Sequence, residues 1–120
     1  MKRDMDLVRR ILLTVEATSE RPTGVFSLPD VSDEVVAYHI EIMHGRGLLD
    51  AEDWGSNDTV GWYVSGMTWE GQEFLDAIRN DTVWNRVKER FKSEGVGFAI
   101  ELIMAFAIQE GARRLGVRTE

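Results

Sequence analysis

Mainly α-helical with one small β-hairpin is the fold class this sequence predicts, and three observations predict it. Apolar residues recur at helical spacing through Leu7–Val15, Val36–Met43 and Phe74–Ile78. The stretch from Leu48 to Val64 instead carries Trp54, Val60, Trp62 and Val64 around a Gly-Ser-Asn-Asp turn, the size of a single hairpin. A nearly uninterrupted apolar run from Phe98 to Ile108 then supplies one more helix. At 120 residues the chain is long enough for one real core. Its 43% hydrophobic and 29% charged content is that of a globular protein and excludes disorder as the default.

The elements follow in order. Leu7, Val8, Ile11, Leu12 and Val15, with Asp4 as cap, predict a helix over 4–18. SERPTGVFSLPD carries Pro22, Gly24 and Pro29 and reads as a loop. Its Val25, Phe26 and Leu28 are expected to tuck into the core, as a short strand or a single helical turn. Ser32 or Asp33 caps a second helix over 33–45, whose Val36, Ile40 and Met43 form one apolar stripe. Gly45 and Gly47 bracket its C-cap, where a left-handed conformation costs glycine little. Leu48-Leu49 begins the hairpin, and Trp54, Trp62 and Trp69 are expected to pack against the helices beneath it. A base-stacking platform is the other reading of three such rings, but platforms come with a basic groove. Thr68 caps a helix that buries Phe74, Leu75 and Ile78, and Asn80-Asp81-Thr82 breaks or bends it. Gly95 and Gly97 mark a joint before the last helix.

That last helix is too short to cross a bilayer, which takes about 20 residues. A helix apolar on every side must be buried on every side. In so small a chain a second subunit is expected to provide part of the cover, so Phe98, Ile100, Leu102, Ile103 and Phe106 are the expected interface of a homodimer formed by helix 96–114. The domain reading is therefore residues 1–92, then residues 93–120 as an oligomerisation element, together one compact unit.

Helix, loop, helix, hairpin, helix is the winged-helix order. YHIEIMHGRGLL resembles the third helix and strand entry of that superfamily, and MTWEGQEFL resembles its turn from wing into helix. Further, MKRDMDLVRRIL, YHIEIMHGRGLL and TWEGQEFLDAIRNDTVWNRVKE together resemble a small bacterial and prophage family, domain of unknown function 2513. The resemblance spans roughly residues 1–90, with DAIRNDTVWN its most specific part. It implies a bacterial or phage setting and a winged-helix-like core, and it carries over no catalytic residue. The chain departs from better-known winged helices in the loop 19–31, which replaces a full second helix and loosens the support behind a recognition helix.

Charge bears on the partner. The net charge is −7, and residues 1–76 hold 6 Lys+Arg against 15 Asp+Glu while residues 77–120 hold 8 against 6. The half that would read DNA is the acidic half, whereas phosphate binding favours a basic surface. On the outward face of helix 33–45 stand Asp33, Ala37, Tyr38, Glu41 and His44, poor in the Arg, Lys, Asn and Gln that read base edges. If DNA binds, Lys2, Arg3, Arg9, Arg10 and Arg46 are the expected phosphate contacts, with Tyr38, Glu41, His44 and Asn57 of the hairpin tip near the groove. The function expected first is a small, prophage-related, dimeric winged-helix transcriptional regulator on duplex DNA, because the fold favours it. The alternative is an acidic winged-helix module that binds a host or phage protein and no DNA. Two basic clusters, Arg86, Lys88, Arg90 and Lys92, then Arg113, Arg114 and Arg118, read as a solvated or subunit-facing helix face and as a helix C-terminus that positive charge favours.

Enzymatic chemistry is not expected. There is no cysteine, which removes disulfides, thiolate nucleophiles and cysteine zinc sites. His39 and His44 lie five residues apart, about 140° around a helix, unlike a zinc-gripping i, i+4 pair. Gly95-Val96-Gly97 is too short to cradle phosphate, and Glu101 in its apolar run reads as a helix-edge or interface residue. No metal, cofactor or membrane partner is expected. The N-terminus mixes charges of both signs and lacks the apolar core of a signal peptide, so the expected location is the cytoplasm.

Overall fold

A computed structural model of the protein describes residues 1–95, 97 and 99–116. Val96, Phe98 and Arg118, named above, lie outside the described residues. The elements are α1 (Met5–Ala17), α2 (Asp33–Gly45), β1 (Leu49–Asp53), β2 (Trp62–Met67), α3 (Trp69–Ile78), α4 (Asp81–Glu94) and α5 (Ile100–Arg114). The class is mainly α with a small β-hairpin, in the expected order. The chain divides into two compact units, residues 1–72 and 73–120. No helix among the described residues is long and apolar enough to cross a membrane.

In the first unit, Asp4 starts α1 as expected, its carboxylate accepting from the N–H groups of Asp6 and Leu7 at 3.0 and 3.3 Å. Ser32, rather than Asp33, caps α2 through the N–H of Val35. The 3.6-residue stripes then do what their spacing implies: Leu7, Val8, Ile11 and Leu12 of α1 and Val36, Ile40 and Met43 of α2 are all buried. Gly47 ends α2 at φ 86°. Its N–H bonds the His44 carbonyl and that of Leu48 the Met43 carbonyl, a paired closure that only a left-handed residue permits. The chain thus turns directly into β1, with Leu48 and Leu49 buried.

β1 and β2 pair antiparallel from Leu49↔Met67 to Asp53↔Trp62, with one extra residue, Ser65, bulged opposite Asp50. Backbone bonds Trp54–Gly61 and Ser56–Thr59 carry the ladder outward, leaving Asn57-Asp58 as the two-residue tip. The loop before α2 corrects one expectation. Leu28 is buried, but Phe26 is only half-buried and Val25 is exposed. The Phe26 N–H donates to the Trp62 carbonyl at 2.8 Å, so the segment lies along the outer edge of β2 instead of entering the core. Gly61 makes room for it, since a Cβ there would stand 2.8 Å from Val25 Cγ1.

In the second unit, Asn80 ends one helix and caps the next, its side-chain oxygen accepting from the Val83 N–H at 3.0 Å. The chain breaks at Asn80 rather than bending, because a cap needs extended backbone, here ψ 126°. Val83, Trp84, Val87 and Phe91 of α4 are buried, as are Ile103 and Ala107 of α5. Phe91 and Phe106 meet edge to face at 6.4 Å. The last helix is not buried on every side: Leu102 is 51% and Ile108 59% exposed. Ile103 is fully covered within its own chain, which leaves it no surface to offer a second subunit. Phe106 and Ile100 are half-buried.

Gly71 sits in the first turn of α3, where glycine costs about 1 kcal/mol relative to alanine. The reason lies across the fold: a Cβ at this position would stand 2.1 Å from the Leu48 carbonyl oxygen, a backbone atom that cannot rotate away. Gly71→Ala should therefore destabilise the protein despite its better helix propensity, by about 1–3 kcal/mol or more as for other overpacked sites. Urea unfolding followed by far-UV circular dichroism would read the loss, and an unchanged midpoint would refute the close approach.

Candidate functional site

The outward face of α2 and the hairpin enclose a surface groove of about 470 Å³. Helical spacing brings Glu34, Ala37, Tyr38 and Glu41 along one wall, at i, i+3, i+4 and i+7. Asp53, Gly55, Ser56, Thr59, Val60, Gly61 and Trp62 form the other wall, and Met1 reaches it as well. Every charged side chain lining the groove is a carboxylate. The surroundings add to the field: residues 1–72 hold 6 Lys+Arg against 13 Asp+Glu, net −7, whereas residues 73–120 hold 8 against 8.

Tyr38 and Glu41, expected at a binding face, line this groove; His44, Arg46 and Asn57 do not. Ala37, expected to face outward, is buried at its floor. His44 is occupied locally: its Nδ1–H donates to the Leu49 carbonyl at 3.2 Å and its ring lies 5.4 Å from that of Trp62. Arg46 caps α2 through its own N–H, and Asn57 is exposed at the hairpin tip. On α1, Arg10 is held by Asp30 through two side-chain bonds, at 2.9 and 2.5 Å. That pairing holds the Asp30 carboxyl below its ordinary value of 3.8 and pushes the Arg10 guanidinium up, the hydrogen bond between them being the main cause. Lys2 and Arg3 are exposed and Arg9 half-buried; Arg3, Arg9 and Arg46 each have further interactions of their own.

His39 has a structural role at the back of this site. The ring is buried, with Nδ1–H donating to the Val35 carbonyl at 2.8 Å and Nε2 accepting the Asp4 N–H at 2.9 Å. One neutral tautomer satisfies both bonds and ties the start of α1 to α2. Tyr38 meets the same ring edge-on at 5.3 Å.

The tryptophans correct a second expectation. Trp54 is 48% and Trp69 78% exposed, and only Trp62 is half-buried. A hairpin with just two strands has one face to cover. Trp54 instead stacks on Tyr63, rings 4.5 Å apart at 15°, while its indole N–H donates to Glu52 at 3.2 Å. Asp53, Ser56, Thr59 and Val60 were not legible as groove residues, because which side of a hairpin tip faces a helix depends on its twist and bulge. The helix wall had a signal, the Glu34–Glu41 spacing.

Arg86, Lys88, Arg90, Arg113 and Arg114 of α4 and α5 have partners within their own unit. Arg86 lies 3.9 Å and Arg113 2.9 Å from Glu110, and their charges, the Arg113 hydrogen bond foremost, hold the Glu110 carboxyl below its ordinary 4.5. Lys88 stands over Trp84 and Arg90 over Phe106, at 5.8 and 5.7 Å. Glu101 is exposed in the first turn of α5. Among the described residues no group of three or more His, Asp or Glu side chains is placed to hold a metal.

Residues 2–97 match the family described as "Hypothetical protein (DUF2513)", and the chain belongs to that family. It is 39% identical over 111 residues to an uncharacterized protein of Haemophilus influenzae, an alignment covering 89% of this chain and 92% of the relative. No solved structure matches it.

Two outcomes test the supports of this site. His39→Leu removes the acceptor of the part-buried Asp4 N–H and should cost about 1–3 kcal/mol in chemical unfolding; wild-type stability would show that the ring is replaceable packing. For Asp30, a folded-state value below the unfolded one means stability that is full above 3.8 and disappears as pH falls through the folded value. Asp30→Asn should therefore melt lower than wild type at neutral pH and converge with it in acid. Parallel melting curves across pH would contradict the pairing.

Proposed function

We propose that this member of the DUF2513 family is a winged-helix-like interaction module of the bacterial or phage cytoplasm. Its α2–hairpin groove takes a basic segment of a partner protein rather than duplex DNA. The observation that carries the reading is the groove's charged lining, Glu34, Glu41 and Asp53, carboxylates on both walls. A duplex laid there would bring its phosphates against three like charges, and Asp33 and Glu34 occupy the helix N-terminus where a phosphate would otherwise dock. An Arg- or Lys-rich peptide meets the opposite situation, and its approach would be accelerated by the net −7 of this unit. Three residues considered for DNA, Arg10, Tyr38 and His44, are already engaged by Asp30, His39 and Leu49. No step of the reading needs a reaction, a metal or a cofactor.

The second reading, a regulator on duplex DNA, has Lys2, Arg3 and Arg9 at the start of the chain in its favour. One titration separates the two. Fluorescent duplex DNA and a fluorescent Arg/Lys-rich peptide are each titrated with the protein at low and at physiological salt. The expected outcome is salt-sensitive peptide binding that Glu41→Lys or Asp53→Lys weakens about tenfold each, or 1.4 kcal/mol, with no retention of DNA even at low salt. DNA binding abolished by Arg9→Glu/Arg10→Glu, with the peptide ignored, would replace the proposal by the regulator.

A further inference from the structure

The second unit holds a larger, apolar groove of about 790 Å³, lined by Ala77, Val83, Met104, Ile108, Gly111 and Leu115 among others. Met104, Ile108, Gly111 and Leu115 fall on one stripe of α5 and its C-cap, a face distinct from Ile103. Ile108 and Leu115 project from it, 59% and 82% exposed. We infer that this groove is a self-association surface, occupied by α5 of a second copy of the chain.

Charge selects that occupant. Two copies meeting through residues 1–72 would bring net −7 against −7, whereas residues 73–120 carry equal numbers of each sign. The groove itself is complementary to its own helix. Its lining includes Glu73 and Asp76 from α3 and Arg114 from α5, charges of both signs. A two-fold arrangement sets the basic end of each α5 against Glu73 and Asp76 of the other copy, so one patch serves both partners. The local partners of these groups, Arg79 for Asp76 and Asn80 for Arg114, are exposed pairings that exchange at little cost.

Gly111 supplies an independent observation. It lies inside α5, where glycine is disfavoured, yet a Cβ there would meet nothing within 4 Å. Unlike Gly71, this glycine answers to no neighbour among the described residues. A second helix backbone approaching the groove gives it a reason. The surface is independent of whatever the α2–hairpin groove binds.

Sedimentation equilibrium of the full chain over about a hundredfold range of concentration tests the inference. Wild type is expected to dimerise, while Ile108→Asp and Gly111→Leu weaken dimerisation at least about tenfold with an unchanged circular dichroism spectrum. Leu102→Asp, exposed but off the groove, should leave the dimer intact. Glu73→Arg and Arg114→Glu should each be weakened alone and recover when mixed, a rescue in trans that damage to the fold cannot imitate. A wild-type monomer throughout, or a dimer indifferent to Ile108, Gly111 and the charge exchange, would overturn it.

Discussion

At Gly47 and Leu48 the chain leaves α2, enters β1 and receives the start of α3, and the geometry of the first unit depends on how those two carbonyls are used. The Gly47 carbonyl accepts the Thr68 hydroxyl at 2.5 Å, and the Leu48 carbonyl accepts the Thr68 N–H at 3.2 Å. The same hydroxyl oxygen then accepts the Gly71 N–H at 3.0 Å, so one side chain both caps α3 and anchors it to the end of α2. Only a residue without Cβ at position 71 lets the two backbones come this close. Helix end, hairpin root and helix start are thereby held by hydrogen bonds with little freedom to slide.

The groove inherits its shape from that junction. With both roots of the hairpin held, the register from Leu49↔Met67 to Asp53↔Trp62 brings the outer part of the hairpin back over α2. The carboxylates of Asp53 and Glu41 then line one concavity although they lie twelve positions apart in sequence. Asp53 is also turned to local use, its carboxylate accepting the Gly55 N–H at 2.8 Å and closing the turn into the tip. His39 secures the other wall, because its ring ties the N–H of Asp4, the cap residue of α1, to the Val35 carbonyl of α2. The stacked Trp54 and Tyr63 are not part of the groove lining, since they alternate with Asp53 and Trp62 along the hairpin.

The second unit solves a different problem. α4 is strongly amphipathic and buries Trp84, Val87 and Phe91, but α5 has more apolar surface than one neighbouring helix can cover. Its Glu110 is neutralised nearby, by Arg113 of the same helix and Arg86 of α4, so part of the charge that would keep the helix apart from others is muted. The uncovered face is a consequence of composition, and its groove a consequence of where Asn80 stops α3 and starts α4.

Local patterns in the sequence determined most of the elements. Asp4, Thr68 and the glycine at 47 mark ends that short-range hydrogen bonds enforce wherever the rest of the chain lies, and the stripes Leu7–Leu12 and Val36–Met43 specify one inward face each. The family was legible too, from YHIEIMHGRGLL and DAIRNDTVWN. Tertiary structure alone decided which apolar residues beyond those stripes are covered. Periodicity gives the phase of a helix but not the width of its cover, so Ile103 and Leu102, adjacent in an apolar run, end buried and exposed. The same holds for Trp54 and Trp69, which stay exposed although Trp62 between them in sequence is half-buried. Gly71 shows the limit most plainly: its necessity is a carbonyl 23 positions earlier in the chain, a proximity that exists only after folding.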